Sequence, residues 1–454
     1  MRYTLNEVAA ALGGKPDRDG DAVIEGISTD TRAIRPGEVF FALIGDTHDG
    51  HNYLQGLKDC AAAVVSRPVE GLAFPVIRVP DTLKALGDFA AFHRSRCPAL
   101  TIGITGSVGK TSTKEMTASL LEELGPCVKT HANFNNEIGL PLTVLQAGED
   151  TRTLVTEMGM RGPGQIAYLC RIARPDIGII TNIGLSHIEL LKTQDNIASA
   201  KAELLEALAP SGAAFVNWDG RYHKRLRNAC KGRFFTFGAN SDADIYPVDP
   251  RLSGEGIRFS AVTPFGVLTE LFIPTLAEHY MINALAAVGC ALYCGVSEDY
   301  IRGKLAEYRN IDKRFNVITS PSGLTVIDDT YNANPASMDG AVRTLARLPG
   351  RTRTAILGDM LELGDYAEEL HYELGRTVAR LQIDRLCCVG ELSGHVAEGA
   401  AAAGMDPARI SRFESSAAMS ESIRDGDFRS GDCVLVKGSR SMKMERISLL
   451  LINM

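Results

Sequence analysis

A glycine turn set between an apolar strand and a helix constrains this chain more than any other stretch. It reads Ile102-Gly103-Ile104-Thr105-Gly106-Ser107-Val108-Gly109-Lys110-Thr111-Ser112. Leu100, Ile102 and Ile104 suit a short buried strand. Gly106 and Gly109 let the backbone turn tightly with its N–H groups facing inward. Met116, Leu120, Leu121 and Leu124 then recur at helical spacing until Gly125-Pro126 ends the run. A helix N-terminus behind such a turn is a place for phosphate. Lys110 offers a charge to the terminal phosphates, and Thr111 a hydroxyl to Mg2+. The commoner eight-residue form of this loop has a further glycine where this chain has Ile104. The stretch predicts a nucleoside triphosphate and leaves its use open.

Composition removes several classes. With 45% hydrophobic and 23% charged residues, the 454-residue chain has the make-up of a soluble globular protein of two to four domains. A net charge of −7 argues against a nucleic-acid partner, which needs a basic face. No apolar run reaches the roughly 18 residues of a membrane span. The N-terminus lacks the apolar centre of a signal peptide, so a cytoplasmic location is expected. The cysteines, at 60, 97, 127, 170, 230, 290, 294, 387, 388 and 433, form no Cys-x-x-Cys pair. They read as buried free thiols rather than zinc ligands or disulfides.

The pattern predicts an α/β protein of three domains, spanning residues 1–98, 99–312 and 313–454. In the first, Leu5, Val8, Ala9 and Leu12 make a helical face, and Val39-Phe40-Phe41-Ala42-Leu43 and Ala62-Ala63-Val64-Val65 are strand-like. Two polar loops stand out there, one holding Ser28, Thr29, Asp30, Thr31 and Arg32, the other Asp49, Gly50 and His51. Either could be a solvated turn. The second domain alternates strands and helices, which implies a mostly parallel sheet with ligands beyond the carboxyl ends of its strands. Glu157, Asn182 and His187 all follow such ends. Phe234, Phe235, Phe237, Ile257 and Phe259, among Gly and Pro, suggest β-hairpins added to that sheet. A helix is expected from about 278 to 293. The third domain has four expected strands, around 324–327, 354–357, 385–389 and 434–436, in a second, Rossmann-like parallel sheet.

Lys201 is the most telling residue after the loop. It lies four after Ile197 and four before Leu205, on the inward face of a helix expected over 196–208. A charged lysine is rarely buried unless paired. It either snorkels to water or meets a compensating group. Glu157 with His187 could help hold a metal, although Mg2+ prefers oxygen ligands.

In their order along the chain these motifs resemble the Mur ligases, and within them the MurF type, which couples D-alanyl-D-alanine to UDP-N-acetylmuramoyl-tripeptide. The resemblance rests on Gly106 to Ser112, Asn133-Phe134-Asn135-Asn136-Glu137-Ile138-Gly139, Glu157-Met158-Gly159-Met160, Thr181 to His187, and Ala200-Lys201-Ala202-Glu203. In the last third it rests on Asp328-Asp329-Thr330-Tyr331-Asn332-Ala333-Asn334-Pro335, Leu357-Gly358-Asp359-Met360-Leu361-Glu362-Leu363-Gly364 and Lys437-Gly438-Ser439-Arg440. The family's loop is of the shorter kind, which accounts for Ile104.

The resemblance implies an ATP- and Mg2+-dependent ligase of peptidoglycan synthesis that works through an acyl phosphate. It places ATP on Gly106, Ser107, Val108, Gly109, Lys110, Thr111, Ser112, Asn283, Arg314 and Asp329. It places the UDP moiety on Ser28, Thr29, Asp30, Thr31, Arg32, Asp49, Gly50 and His51, and the dipeptide or acyl side on Asn136, Asn332 and Asn334. Lys110, Glu157, His187 and Lys201 would be catalytic. Metal ligation would fall to Thr111, Glu157, His187 and Lys201, the last as a carbamate. The chain is expected to act as a monomer. The family's adenine-side helix begins Gly-x-His-Asn, whereas this chain has Ala277, His279 and Tyr280 there, keeping Asn283. Rival readings are a sister ligase that adds one amino acid (the MurE type or a folate polyglutamate synthase), a nucleotide-dependent switch, and a sugar-nucleotide kinase.

Overall fold

Near-continuous apolar strands need cover on both faces, and the chain meets that need with three mostly parallel sheets layered by helices. The computed structural model describes residues 1–454 except Asp19. Its central sheet is fully parallel, in the order Arg233–Phe237, Ala213–Asn217, Ile177–Ile180, Leu100–Thr105, Thr153–Glu157, Cys127–Lys129. The strand that feeds the glycine turn is therefore internal, with Ile177–Ile180 on one side and Thr153–Glu157 on the other. Helix Lys110–Leu121 leaves the turn and packs against helix His279–Tyr293.

The aromatic run at 234–237 is not part of a hairpin. Arg233–Phe237 is the outer strand of the central sheet, with Phe235 stacked on Phe215 at 5.1 Å. The antiparallel addition consists of Tyr246–Ser253, Gly256–Thr263 and Gly266–Ile273. An apolar aromatic run reads alike in an edge strand and in a hairpin, so periodicity alone does not separate them.

The first sheet orders Gly26–Ser28, Glu38–Phe41, Ala62–Val65 and Val76–Arg78, all parallel. Helix Leu5–Ala11 starts on a capping box between Thr4 and Glu7. Helix Thr82–Ser95 joins this sheet to the central one by packing on helices Gly139–Val144 and Gln165–Ala173. Arg94, buried in that seam, donates Nε to Ala173 O (2.8 Å), Nη1 to Cys97 O (2.7 Å) and Nη2 to Ala99 O (3.0 Å). Arg94→Met keeps the apolar stem and leaves three carbonyls without their donor. It is expected to cost about 3 kcal/mol, seen as a lower urea midpoint. An unchanged midpoint would count against the seam.

The C-terminal sheet orders Asn316–Thr319, Thr325–Asp329, Cys433–Lys437, Arg353–Gly358, Arg385–Val389 and Ile410–Phe413, with only the first strand antiparallel. The four expected strands are its middle. The outer two are short and only half-buried, so their apolar signal is weak. One apolar core runs through all three sheets, with two smaller clusters beside it. Among the described residues, no helix is long and apolar enough to cross a membrane.

Candidate functional site

The central and C-terminal sheets point the ends of their strands into one cleft of about 720 Å³. The central side contributes residues 107–112, 133, 135–137, 157, 159–161, 165 and 186–187, with His279, Tyr280 and Asn283. Across from them stand Arg314, Asp329, residues 331–334, Ser337, residues 361–363, Lys437 and residues 439–441. Of the expected ATP and catalytic residues only Gly106 and Lys201 do not line it, and both are buried against it.

The turn is tight for a reason the coordinates make explicit. Gly106 has φ +153°, and a Cβ there would fall 1.8 Å from Thr181 Oγ1; Gly109 has φ +84°, and a Cβ there would fall 2.5 Å from Asn283 Oδ1. Asn182 anchors the loop from the next strand, its Oδ1 accepting from Ser107 N (3.1 Å) and Val108 N (2.9 Å). Lys110 curls over the turn, its Nζ donating to Gly106 O at 2.7 Å. Burial pushes its ammonium pKa down, while Glu157 pulls it back up.

Glu157 closes strand Thr153–Glu157 and is 2% exposed. Its N–H donates to Thr130 Oγ1 (3.0 Å), and its Oε1 accepts from Asn135 Nδ2 (2.7 Å). Its Oε2 is buried with no hydrogen-bond partner. Behind Thr130 lies Lys114, fully buried, whose Nζ donates to Thr130 O (2.6 Å) and pairs with Glu115 (2.6 Å). Sequence reasoning gave Asn135, Thr130 and Lys114 no role. Lys114 lies between Lys110 and Ala118 at helical spacing, so it lacked the apolar neighbours that marked Lys201.

Lys201 sits on helix Gln194–Glu206 and is 2% exposed. Among the described residues it has neither an ion pair nor a hydrogen bond from its ammonium group. Burial first, then the charge of Lys110, push its pKa far down. His187 has φ +63°, and its Nδ1 lies 2.6 Å from Glu362 Oε2 of the C-terminal side. That contact is close without being aligned as a hydrogen bond, so Nδ1 also counts among the buried atoms lacking one. Burial lowers its pKa, Glu362 raises it, and Lys110 and Lys201 lower it further.

On the opposite wall Lys437 pairs with Asp329 (2.7 Å) and donates to Asn332 O (2.9 Å). Burial raises the Asp329 pKa and Lys437 opposes it. The Arg314 guanidinium lies 4.0 Å from the centre of the Tyr331 ring. Tyr280 is buried, and its hydroxyl donates to Arg314 O at 2.9 Å, so the residue that departs from the family pattern ties this helix to the linker. Ala277 is fully buried, and Asn283 keeps Nδ2 unpartnered against the turn. Asn334 caps helix Pro335–Arg347, and Asn136 Oδ1 accepts from Gly139 N (2.9 Å) at the start of helix Gly139–Val144. Both therefore have local work as well as a place in the lining.

None of residues 28–32 or 49–51 lines this cleft. Asp30 pairs with Arg32 (2.7 Å), which holds its carboxyl down at about 2. His51 is buried between Asp49 Oδ1 (2.6 Å) and Ser66 N (3.0 Å), and a Cβ at Gly50 would fall 2.9 Å from Ala42 Cα. The trio Asp49, Gly50 and His51 holds its own turn together.

The donors suit Mg2+ on one count in particular. Glu157 Oε2 is a buried acceptor without a partner beside a helix N-terminus, and a cation bridging to phosphate would satisfy it. Among the described residues, no three His, Cys, Asp or Glu side chains converge. A site here therefore depends on phosphate oxygens, the Thr111 hydroxyl and any charge added at Lys201.

Residues 104–291 match the Mur ligase middle domain and residues 313–440 the Mur ligase, glutamate ligase domain. The chain is 37% identical to the UDP-N-acetylmuramoyl-tripeptide–D-alanyl-D-alanine ligase of Bacillus subtilis and 32% identical to that of Escherichia coli, with 98% of each chain covered in both cases. A crystal structure of MurF from Acinetobacter baumannii superposes with a TM-score of 0.92 at 31% identity, covering 99% of both chains. MurF ligase from Thermotoga maritima in complex with ADP gives 0.81 at 26% identity, covering 94% of this chain and 96% of the other.

Proposed function

The chain belongs to the Mur ligase family, and from that premise we propose how its cleft works. It is an ATP-dependent ligase that adds D-alanyl-D-alanine to UDP-N-acetylmuramoyl-tripeptide, a step in making peptidoglycan precursors. The observation that carries the site reading is the unpartnered Oε2 of Glu157, facing the same cleft as Lys110 and the turn.

An unactivated carboxylate is a poor acyl donor. In this reading the tripeptide carboxylate attacks the γ-phosphorus of ATP, releasing ADP and forming an acyl phosphate. The free amine of D-alanyl-D-alanine then adds to the acyl carbon, and the tetrahedral adduct expels inorganic phosphate. Two anions must meet in the first step, so fixed positive charge decides the barrier. Lys110 supplies it at the β- and γ-phosphates, and the turn aims the N-terminus of helix Lys110–Leu121 at the same place. Mg2+ bound by Thr111 and Glu157, with a second held by Glu157, His187 and a carbamylated Lys201, would neutralise phosphate and acyl oxygens. Carbamylation converts an unpaired buried amine into an anion, whose burial the adjoining Mg2+ would compensate.

Residues 99–312 act as the ATP domain. Residues 313–454 close on it, with Asn283, Arg314 and Asp329 on the nucleoside and Asn136, Asn332 and Asn334 on the acyl and dipeptide side. Residues 1–98 take the UDP moiety through the loops at 28–32 and 49–51. Action as a monomer belongs to the same reading. ATP and UDP-linked substrates support a cytoplasmic location.

The test is phosphate release with each substrate alone and with both. Release only with both, together with a product heavier by one dipeptide, supports the reading; a phosphorylated product without an amide would make the protein a kinase. A narrower test concerns the seat of Glu157. Asn135→Ala removes the hydrogen bond that aims the carboxylate, and the Mg2+ concentration for half-maximal rate is expected to rise about tenfold. No change would remove Asn135 from the account.

A further inference from the structure

We propose that Glu362 is a positioning residue that reaches across from the C-terminal sheet to set His187 for the cleft, so that the metal side of the site is complete only when the two sheets are docked. The inference rests on the reading of His187 given above. Three observations carry it. First, Glu362 Oε2 lies 2.6 Å from His187 Nδ1, and the backbone follows the side chain, with Glu189 N donating to Glu362 O at 3.3 Å. Gly364 lies against the same segment, where a Cβ would meet Glu189 Cγ at 3.2 Å.

Second, both partners hold unfavourable backbone conformations. His187 has φ +63° and Glu362 φ +62°, a region that side chains other than glycine adopt at a cost. Two such residues meeting face to face across a domain boundary are over-determined by the structure around them.

Third, the loop that carries Glu362 is rigidly mounted. Leu361 N donates to Ser439 Oγ (2.9 Å), Met360 N to His371 Nε2 (2.9 Å), and Ser439 N to Asp359 O (3.0 Å). Asp359 Oδ1 accepts from Ser393 N (2.7 Å), and Met360 and Leu363 are buried. Glu362, by contrast, has its side chain 45% exposed and no task within its own sheet. The contact is not aligned as a hydrogen bond in this structure; on alignment, a neutral imidazole giving its Nδ1 proton to Glu362 would keep its Nε2 lone pair for a cation and be fixed in orientation. Glu362 supplies that carboxylate from the C-terminal side of the cleft.

The test uses the full chain with a non-hydrolysable ATP analogue and Mn2+ as the probe, bound metal being read by electron paramagnetic resonance. Glu362→Ala and Glu362→Asn are expected to weaken the weaker Mn2+ site by about 10- to 100-fold and to leave the tighter one unchanged. Asn tolerates the left-handed backbone, so a loss shared by both variants is not a folding defect. Glu362→Gln, which keeps an acceptor without the charge, should fall between them and the parent chain. Full Mn2+ binding in Glu362→Asn, with the weaker site lost in His187→Ala, would overturn the role of Glu362 alone. Full binding in His187→Ala as well would overturn the reading of His187, and this inference with it.

Discussion

Lys110→Ala is expected to lower turnover by roughly a hundred- to a thousandfold while the chain stays folded. Lys110 is the cation that bends back over the turn, 2.7 Å from Gly106 O, and burial makes its charge costly unless phosphate arrives. Its charge matters most as the γ-phosphate is transferred, so the loss should fall more heavily on kcat than on the KM for ATP. Lys110→Arg is not a rescue, because a planar guanidinium cannot follow the same curl over residues 106–109. Steady-state kinetics with varied ATP, set beside equilibrium binding of an ATP analogue, measures both parts. A variant that keeps its kcat and loses only ATP affinity would make Lys110 a binding residue and no more.

Lys201→Ala is expected to cost a similar factor, with partial recovery on adding short-chain carboxylic acids. The amine is buried and has no anionic partner among the described residues, and burial first, then the charge of Lys110, pushes its pKa far down. A lowered pKa favours the unprotonated amine, the form that takes up carbon dioxide to give a carbamate and a proton. The sign sets the pH response. As pH falls, the amine is protonated and the carbamate is lost, so activity should decline on the acid side. The alanine variant has no amine, and with acid supplied its acid-side limb should follow the added carboxylate instead. Full activity of Lys201→Ala without any acid would remove the carbamate from the account.

The parts of this molecule written in one local pattern were legible in the sequence alone. The glycine turn announced its strand and its helix within eleven residues. The inward placement of Lys201 followed from two leucine-type neighbours at helical spacing, and it is buried as expected. What stayed hidden depends on distance in space. Asn135 and Thr130 matter because they meet Glu157 across 22 and 27 residues of sequence. Glu362 lies 175 residues beyond His187, and nothing in its own neighbourhood points back. The strands Asn316–Thr319 and Ile410–Phe413 are half-exposed edges, and their identity comes from the partner they pair with. Asp49 and His51 read equally as ligand contacts or as a turn. Their hydrogen bonds to each other and to Ser66 give the turn a sufficient cause of its own.

The account's central claim is that the cleft phosphorylates a carboxylate before it makes an amide. UDP-N-acetylmuramoyl-tripeptide with oxygen-18 in its acceptor carboxylate tests this most directly, with ATP, D-alanyl-D-alanine and the wild-type chain. The claim predicts one labelled oxygen in each inorganic phosphate released and one retained in the new amide. Unlabelled phosphate, released as fast as ADP, would contradict it.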